Sequence, residues 1–159
     1  MKKHSCCLIG LERTSVVQAI FEELRAVLCH LIEEEDVNVF LLSYSCRDSL
    51  YFSLLQRLGE RYPERGIRFI GVSSTDIQKE RAREDPSPFD DFIGLTPPSK
   101  KVSSRIIKTQ KYLMESAEFM IGYYNEDHSL YRNIRNSLRK NKNIRVFNLY
   151  RERHQIKMD

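Results

Sequence analysis

Val37-Asn38-Val39-Phe40-Leu41-Leu42, running on into Ser43-Tyr44-Ser45-Cys46-Arg47-Asp48, is the stretch on which the fold turns. Its apolar part is rich in β-branched and aromatic residues, is too short for a buried helix and ends in small polar residues. It therefore reads as a central parallel strand delivering a loop. An apolar strand and an amphipathic helix precede it, and a helix and another strand follow. That rhythm belongs to a doubly wound α/β sheet. In such sheets ligands sit beyond the carboxyl ends of the strands, so the residues from Ser43 to Asp48 are the first place to expect a site.

Upstream, Cys6-Cys7-Leu8-Ile9-Gly10 is a short apolar strand ending at a glycine. Val16, Val17, Ile20, Phe21, Leu24, Val27, Leu28, Leu31 and Ile32 then recur at helical spacing, predicting one long helix that Thr14-Ser15 can cap. Glu33-Glu34-Glu35-Asp36 would set four acids at the unfavourable end of its dipole and reads as loop. Downstream, Asp48 can cap a helix from about Ser49 to Tyr62, closed by Pro63, with Leu50, Leu54, Leu55 and Leu58 inward. Ile67 to Val72 is a third strand.

From Ser73 to Lys101 the pattern dissolves into a long loop punctuated by Pro86, Pro88, Pro97 and Pro98, with a short charged helix expected over Asp76 to Glu84. Ser103-Ser104 opens another helix that runs to about Ala117. Glu118 to Asn125 holds a fourth strand, Leu130, Ile134 and Leu138 mark one face of a basic helix, and Ile144 to Leu149 is a fifth strand. The expected architecture is α/β, a Rossmann-like three-layer fold with a five-stranded, mainly parallel sheet. Residues 1–150 form one domain and 151–159 a charged C-terminal tail.

Composition limits the function classes. The chain has 159 residues, 41% hydrophobic and 30% charged, which is the make-up of one soluble globular domain. It has no apolar run of about 18 residues and no signal-peptide pattern, so no membrane partner and a cytoplasmic location are expected. Four cysteines without C-x-x-C spacing and four scattered histidines indicate neither a metal site nor a disulfide framework. The net charge is +4, but from Arg132 to Asp159 nine Lys or Arg face two acids, a balance of +7 against −3 for the rest. That basic end could meet nucleic acid or another anion, though a solvated helix face gives the same count.

The motifs exclude more than they include. Gly10 stands without a G-x-G-x-x-G, and no G-x-x-x-x-G-K-[ST] exists, which argues against a dinucleotide fingerprint and a P-loop. No G-x-S-x-G elbow is present. Ser43, Ser45 and Ser49 around Asp48 could offer hydroxyls, backbone N–H groups and a carboxylate to a ribose or phosphate. Asp48 could equally be an N-cap alone. Cys46 reads as an inert thiol. Tyr123-Tyr124 could stack a base, and Arg13, Arg47 and Arg105 could reach a phosphate if the fold brings them to the strand ends.

Taken together, three blocks resemble the SLOG superfamily, the Rossmann-like group that includes the LOG cytokinin-activating hydrolases and the DprA DNA-processing proteins, and most of all its small YoqJ-like bacterial or phage members. Cys6-Cys7-Leu8-Ile9-Gly10 stands where these have an apolar strand ending in Thr-Gly-His-Arg. Val39 to Asp48 stands at their strand, Gly-Gly-Ala loop and Gly-x-Asp. Tyr112 to Tyr124 resembles their "MVD-x-SD-x-LIA-x-Y" run. Leu11 and Glu12 replace the His and Arg after the glycine, unless Arg13 is the shifted Arg. Thr109-Gln110 replaces an Arg-Asn pair, and His128-Ser129-Leu130-Tyr131 replaces the Gly-Gly-Thr phosphate loop. Glycines there let backbone N–H groups approach a phosphate, which a Cβ hinders.

The resemblance implies a non-catalytic binder or sensor of a nucleotide or nucleotide-derived ligand. Its site would be drawn from Gly10, Arg13, Ser43, Tyr44, Ser45, Asp48, Tyr123 and Ser129, with no catalytic residue, metal or cofactor. Glu126 lies near the family's catalytic glutamate but lacks its glycines. A degenerate scaffold acting through protein contacts or as a homodimer is the alternative, and nucleic-acid or anion binding through the basic helix is a third.

Overall fold

The computed structural model describes residues 4–74, 87–95, 102–129 and 131–151. The expected helix over Asp76 to Glu84 and the tail beyond Arg151 lie outside these residues. Six strands form one sheet: β1 (His4–Ile9), β2 (Val37–Ser43), β3 (Arg68–Ser73), β4 (Asp91–Gly94), β5 (Phe119–Gly122) and β6 (Arg145–Asn148), in the order β4-β3-β2-β1-β5-β6. Every pairing is parallel. The Rossmann-like α/β architecture is as expected, with six strands in place of five.

The strand that sequence patterning missed is β4, four residues long and half polar. It is held from outside its own sequence. Asp90 exchanges bonds with Phe69, its N–H donating to the Phe69 carbonyl and its carboxylate accepting from the Phe69 N–H, both at 2.8 Å. Phe89 is buried, with its ring 5.4 Å from Tyr44 and 5.3 Å from Phe52. No period of two in residues 91–94 could have announced this.

The helices are α1 (Thr14–Ala19), α2 (Phe21–Glu34), α3 (Leu50–Arg61), α4 (Val102–Ser116) and α5 (Tyr131–Lys140). Alternation along the strands sends side chains to two cores. Cys6, Leu8, Phe40 and Leu42 face α1, α2 and α3, while Cys7, Ile9, Val39 and Leu41 face α4 and α5. Asn38 is an extra residue between β1 partners, with His4 opposite Val37 and Ser5 opposite Val39. This bulge moves Val37 onto the face of Phe40, where it is fully buried.

Two expectations about helix ends are corrected. The long first helix breaks at Ile20, whose φ and ψ of −118° and 20° leave the helical region. Periodicity could not reveal the break, because both pieces bury the same stripe from Val16 to Ile32. The acidic run is helical through Glu34, with Glu35 as the cap and only Asp36 in a left-handed turn (φ 55°). Its acids have partners that offset the dipole: Tyr62 donates to Glu33, Arg65 lies 3.0 Å from Asp36, and Arg145 lies 3.1 Å from Glu35. At the same edge of the sheet His4 meets Glu118 at 2.8 Å.

Replacing Phe89 by Ala should cost about 3 to 5 kcal/mol, the usual price of emptying a buried aromatic site. Urea denaturation of Phe89→Ala against the unchanged chain measures it, and hydrogen exchange should show β4 losing protection before the central strands.

Candidate functional site

The strand order reverses between β1 and β5. From β1 the chain builds outward through β2, β3 and β4, then crosses to the other side and adds β5 and β6. At such a reversal the loops after the two strands turn to opposite faces and leave a crevice between them. Gly10 ends β1 there with φ +82°, and a Cβ on it would stand 2.3 Å from the Tyr123 carbonyl oxygen. Gly10 is thus required by the approach of β5's loop, whatever a ligand does.

The crevice has two lobes. The first, about 570 Å³, lies between the loop after β2 and α4; its polar lining includes Glu12, Ser43, Ser45, Asp48, Tyr51, Thr109 and Gln110. The second, about 430 Å³, lies at the end of β5 and is lined by Gly10, Tyr123, Tyr124, Asn125, His128, Tyr131 and Tyr150 among others. Ile9, Glu12, Ile106 and Gln110 border both, so the lobes are adjacent. Ile106 is 54% exposed and Ile107 49%, an unusual exposure for isoleucine on a helix that covers the sheet. Among the described residues neither lobe is lined by Lys or Arg.

Local chemistry sets each wall. The residues Tyr44–Asp48 form a 3-10 turn, and Ser49 rather than Asp48 caps α3, its Oγ accepting from the Phe52 N–H at 3.3 Å. Asp48 is left exposed, 3.8 Å from Arg47 Nε. Ser43 and Ser45 share a 2.9 Å hydroxyl contact. Thr109 donates to Ser74, which donates to the Arg105 carbonyl, tying α4 to the end of β3. In the aromatic lobe Tyr124 stacks on Tyr131 at 5.5 Å and 12°, and Tyr123 meets Tyr150 edge-on at 5.3 Å. Asn148 braces them, its amide bonding both the N–H and the carbonyl of Tyr124 and accepting from the Tyr150 N–H.

The sequence matches no protein-family model and no curated protein. The site therefore rests on its geometry.

Of the residues expected from sequence, Ser43, Ser45 and Asp48 line the first lobe, and Gly10 and Tyr123 the second. Three fall elsewhere. The Tyr44 ring is turned into the core against Phe89 and Phe92 by the 3-10 turn, while Arg13 and Ser129 are exposed and border neither lobe. Glu126 is exposed and lines neither lobe as well. Glu12, Gln110, Ile106 and Tyr150 had no local signal as ligands, since only the sheet order brings them together.

Burial pushes the Cys46 thiol from its ordinary 9.0 up to about 12, with a smaller rise from nearby Glu12, against the lowering effect of the Tyr51 hydroxyl that donates to it. It is protonated and inert at neutral pH. Burial first, then Tyr131 and Glu126, lift Tyr124 to about 12, which keeps its hydroxyl a donor. Among the described residues no group of His, Cys, Asp and Glu is placed to hold a metal ion, and no helix is long and apolar enough to cross a membrane. What the crevice can offer is stacking, hydroxyl and amide hydrogen bonds and two carboxylate acceptors.

Gly10→Ala should destabilise the chain by more than 1 kcal/mol, on the order of 1 to 3 for strain of this kind, measurable by chemical denaturation. Because Cys46 keeps its proton in the folded state after the unfolded chain has lost its own, stability is full below about pH 9. It should fall as pH rises towards 12, by about 1.4 kcal/mol per unit for such a group. Denaturation at several alkaline pH values should show a shallower decline for Cys46→Ala.

Proposed function

We propose that the chain is a divergent SLOG-like domain whose crevice binds the nucleoside part of a nucleotide-derived ligand without transforming it. The observation that carries this reading is the pairing of the two lobes at the β1/β5 reversal. One is walled by four tyrosines, suited to a planar base. The other holds Glu12, Asp48, Ser43, Ser45 and Gln110, suited to sugar hydroxyls and amino groups. They meet at Glu12 and Gln110, so one ligand could span both.

The same lining argues against the strand ends as a phosphate seat. No cation lines either lobe among the described residues, and two carboxylates would repel a phosphate there. The glycine loops that usually receive it are replaced by residues with a Cβ.

A thermal-shift screen with purine and pyrimidine nucleosides tests the reading. A ligand at about a hundred times its dissociation constant stabilises the fold by about 2.7 kcal/mol, well within detection. Glu12→Gln should weaken the binding nucleoside about tenfold, since a hydrogen bond to a charged acceptor is worth about 1.5 to 3 kcal/mol. If no nucleoside or nucleotide shifts the melting temperature, the reading fails.

A further inference from the structure

A third concavity, about 590 Å³, lies on the outer side of the crevice between α4 and α5. We propose that it seats the phosphate chain of a nucleoside di- or triphosphate whose base lies among the tyrosines. This rests on the binding reading above and adds what that reading leaves out, the charged end of the ligand and its place.

Three observations carry it. The groove and the aromatic lobe share Ile107, Gln110 and Asn133 in their linings, so the two adjoin. The groove has the charge the lobes lack: Lys111, Arg139 and Lys140 line it, with the amides of Asn133 and Asn136 between them. It also has suitable length. From Ile107 to Met114 α4 rises about 10 Å, room for a ribose and a short run of phosphates.

A purely structural reason exists for some of these cations but not for all. Arg139 and Lys140 end α5, where positive charge complements the helix dipole, and Lys140 is 3.6 Å from Glu115. Lys111 is exposed in the interior of α4 and makes no ion pair among the described residues. Two or three phosphates brought against Lys111 and Arg139 would form charge-assisted bonds, bidentate at the arginine.

The experiment is calorimetric titration of the full chain with adenosine, guanosine, cytidine and uridine, their mono-, di- and triphosphates, inorganic tripolyphosphate and a short single-stranded oligonucleotide. For the base that binds, affinity should rise about tenfold or more from nucleoside to triphosphate at low salt, and the gain should shrink as salt is raised. The double variant Lys111→Gln with Arg139→Gln should lose that gain and keep the nucleoside affinity, with the melting temperature lowered by no more than a few degrees for the charge lost at the end of α5. Tyr123→Ala should weaken nucleoside and triphosphate alike.

Equal binding of nucleoside and triphosphate, or a gain that survives the double variant, overturns the groove while leaving the nucleoside site standing. Tripolyphosphate binding as tightly as the triphosphate overturns the link between groove and lobe. An oligonucleotide that outcompetes the free triphosphate overturns it in favour of nucleic acid. No binding by any nucleoside or nucleotide removes both proposals together.

Discussion

The backbone contact between Gly10 and Tyr123 is the constraint on which the functional end of the molecule depends. The Tyr123 N–H donates to the Ile9 carbonyl at 3.0 Å, which brings the Tyr123 carbonyl into the space a Cβ at Gly10 would need. That closeness follows from β5 pairing with β1, and the pairing is also the reversal that opens the crevice. The glycine, the register and the cavity are therefore one fact seen at three scales. Moving the loops apart to admit a side chain would loosen the aromatic lobe, because Tyr123 and Tyr124 are its first residues.

Around that contact the molecule is a sheet with two apolar faces, as parallel sheets covered by helices on both sides must be. The central strands supply both cores at once. Phe40 and Leu42 point one way and Val39 and Leu41 the other, so neither face can be repacked without disturbing the backbone that serves its opposite. The bulge at Asn38 is the exception to alternation. It adds Val37 to the larger core and leaves Asn38 Oδ1 buried without a partner among the described residues, a cost the site accepts for one more fully buried valine.

Much of this was legible in the residues. Apolar runs with small polar ends located five of the six strands, and helical spacing identified the buried faces of α2 and α3. The edge strand was not legible because Asp90 and Phe89, outside the strand itself, hold it in place. Among the residues that line the crevice, those at or shortly after strand ends were legible, since proximity to a strand end is a local property: Gly10, Ser43, Ser45, Asp48 and Tyr123. Tyr44 misled for the same reason, because the 3-10 turn that reverses its direction has no signature in Ser43-Tyr44-Ser45. Glu12 and Gln110 were visible only as replacements of expected residues. Tyr150 reaches the crevice from beyond the last strand, which requires knowing that β6 follows β5 in space.

The polar ties described for the acidic run have a consequence for how the chain can change. Glu33, Glu35 and Asp36 reach Tyr62, Arg145 and Arg65, and His4 reaches Glu118, and all of these lie where strands begin. Such pairs are individually weak at a surface. Their common placement still divides the sheet into a tethered end and an open one, with the crevice wholly at the second. Substitutions at the exposed rim positions of the crevice, such as Ser45 and Asp48, leave the tethers and both cores untouched. A lineage with this layout is free to trade one ligand for another by point changes at the rim, keeping the scaffold as a fixed inheritance.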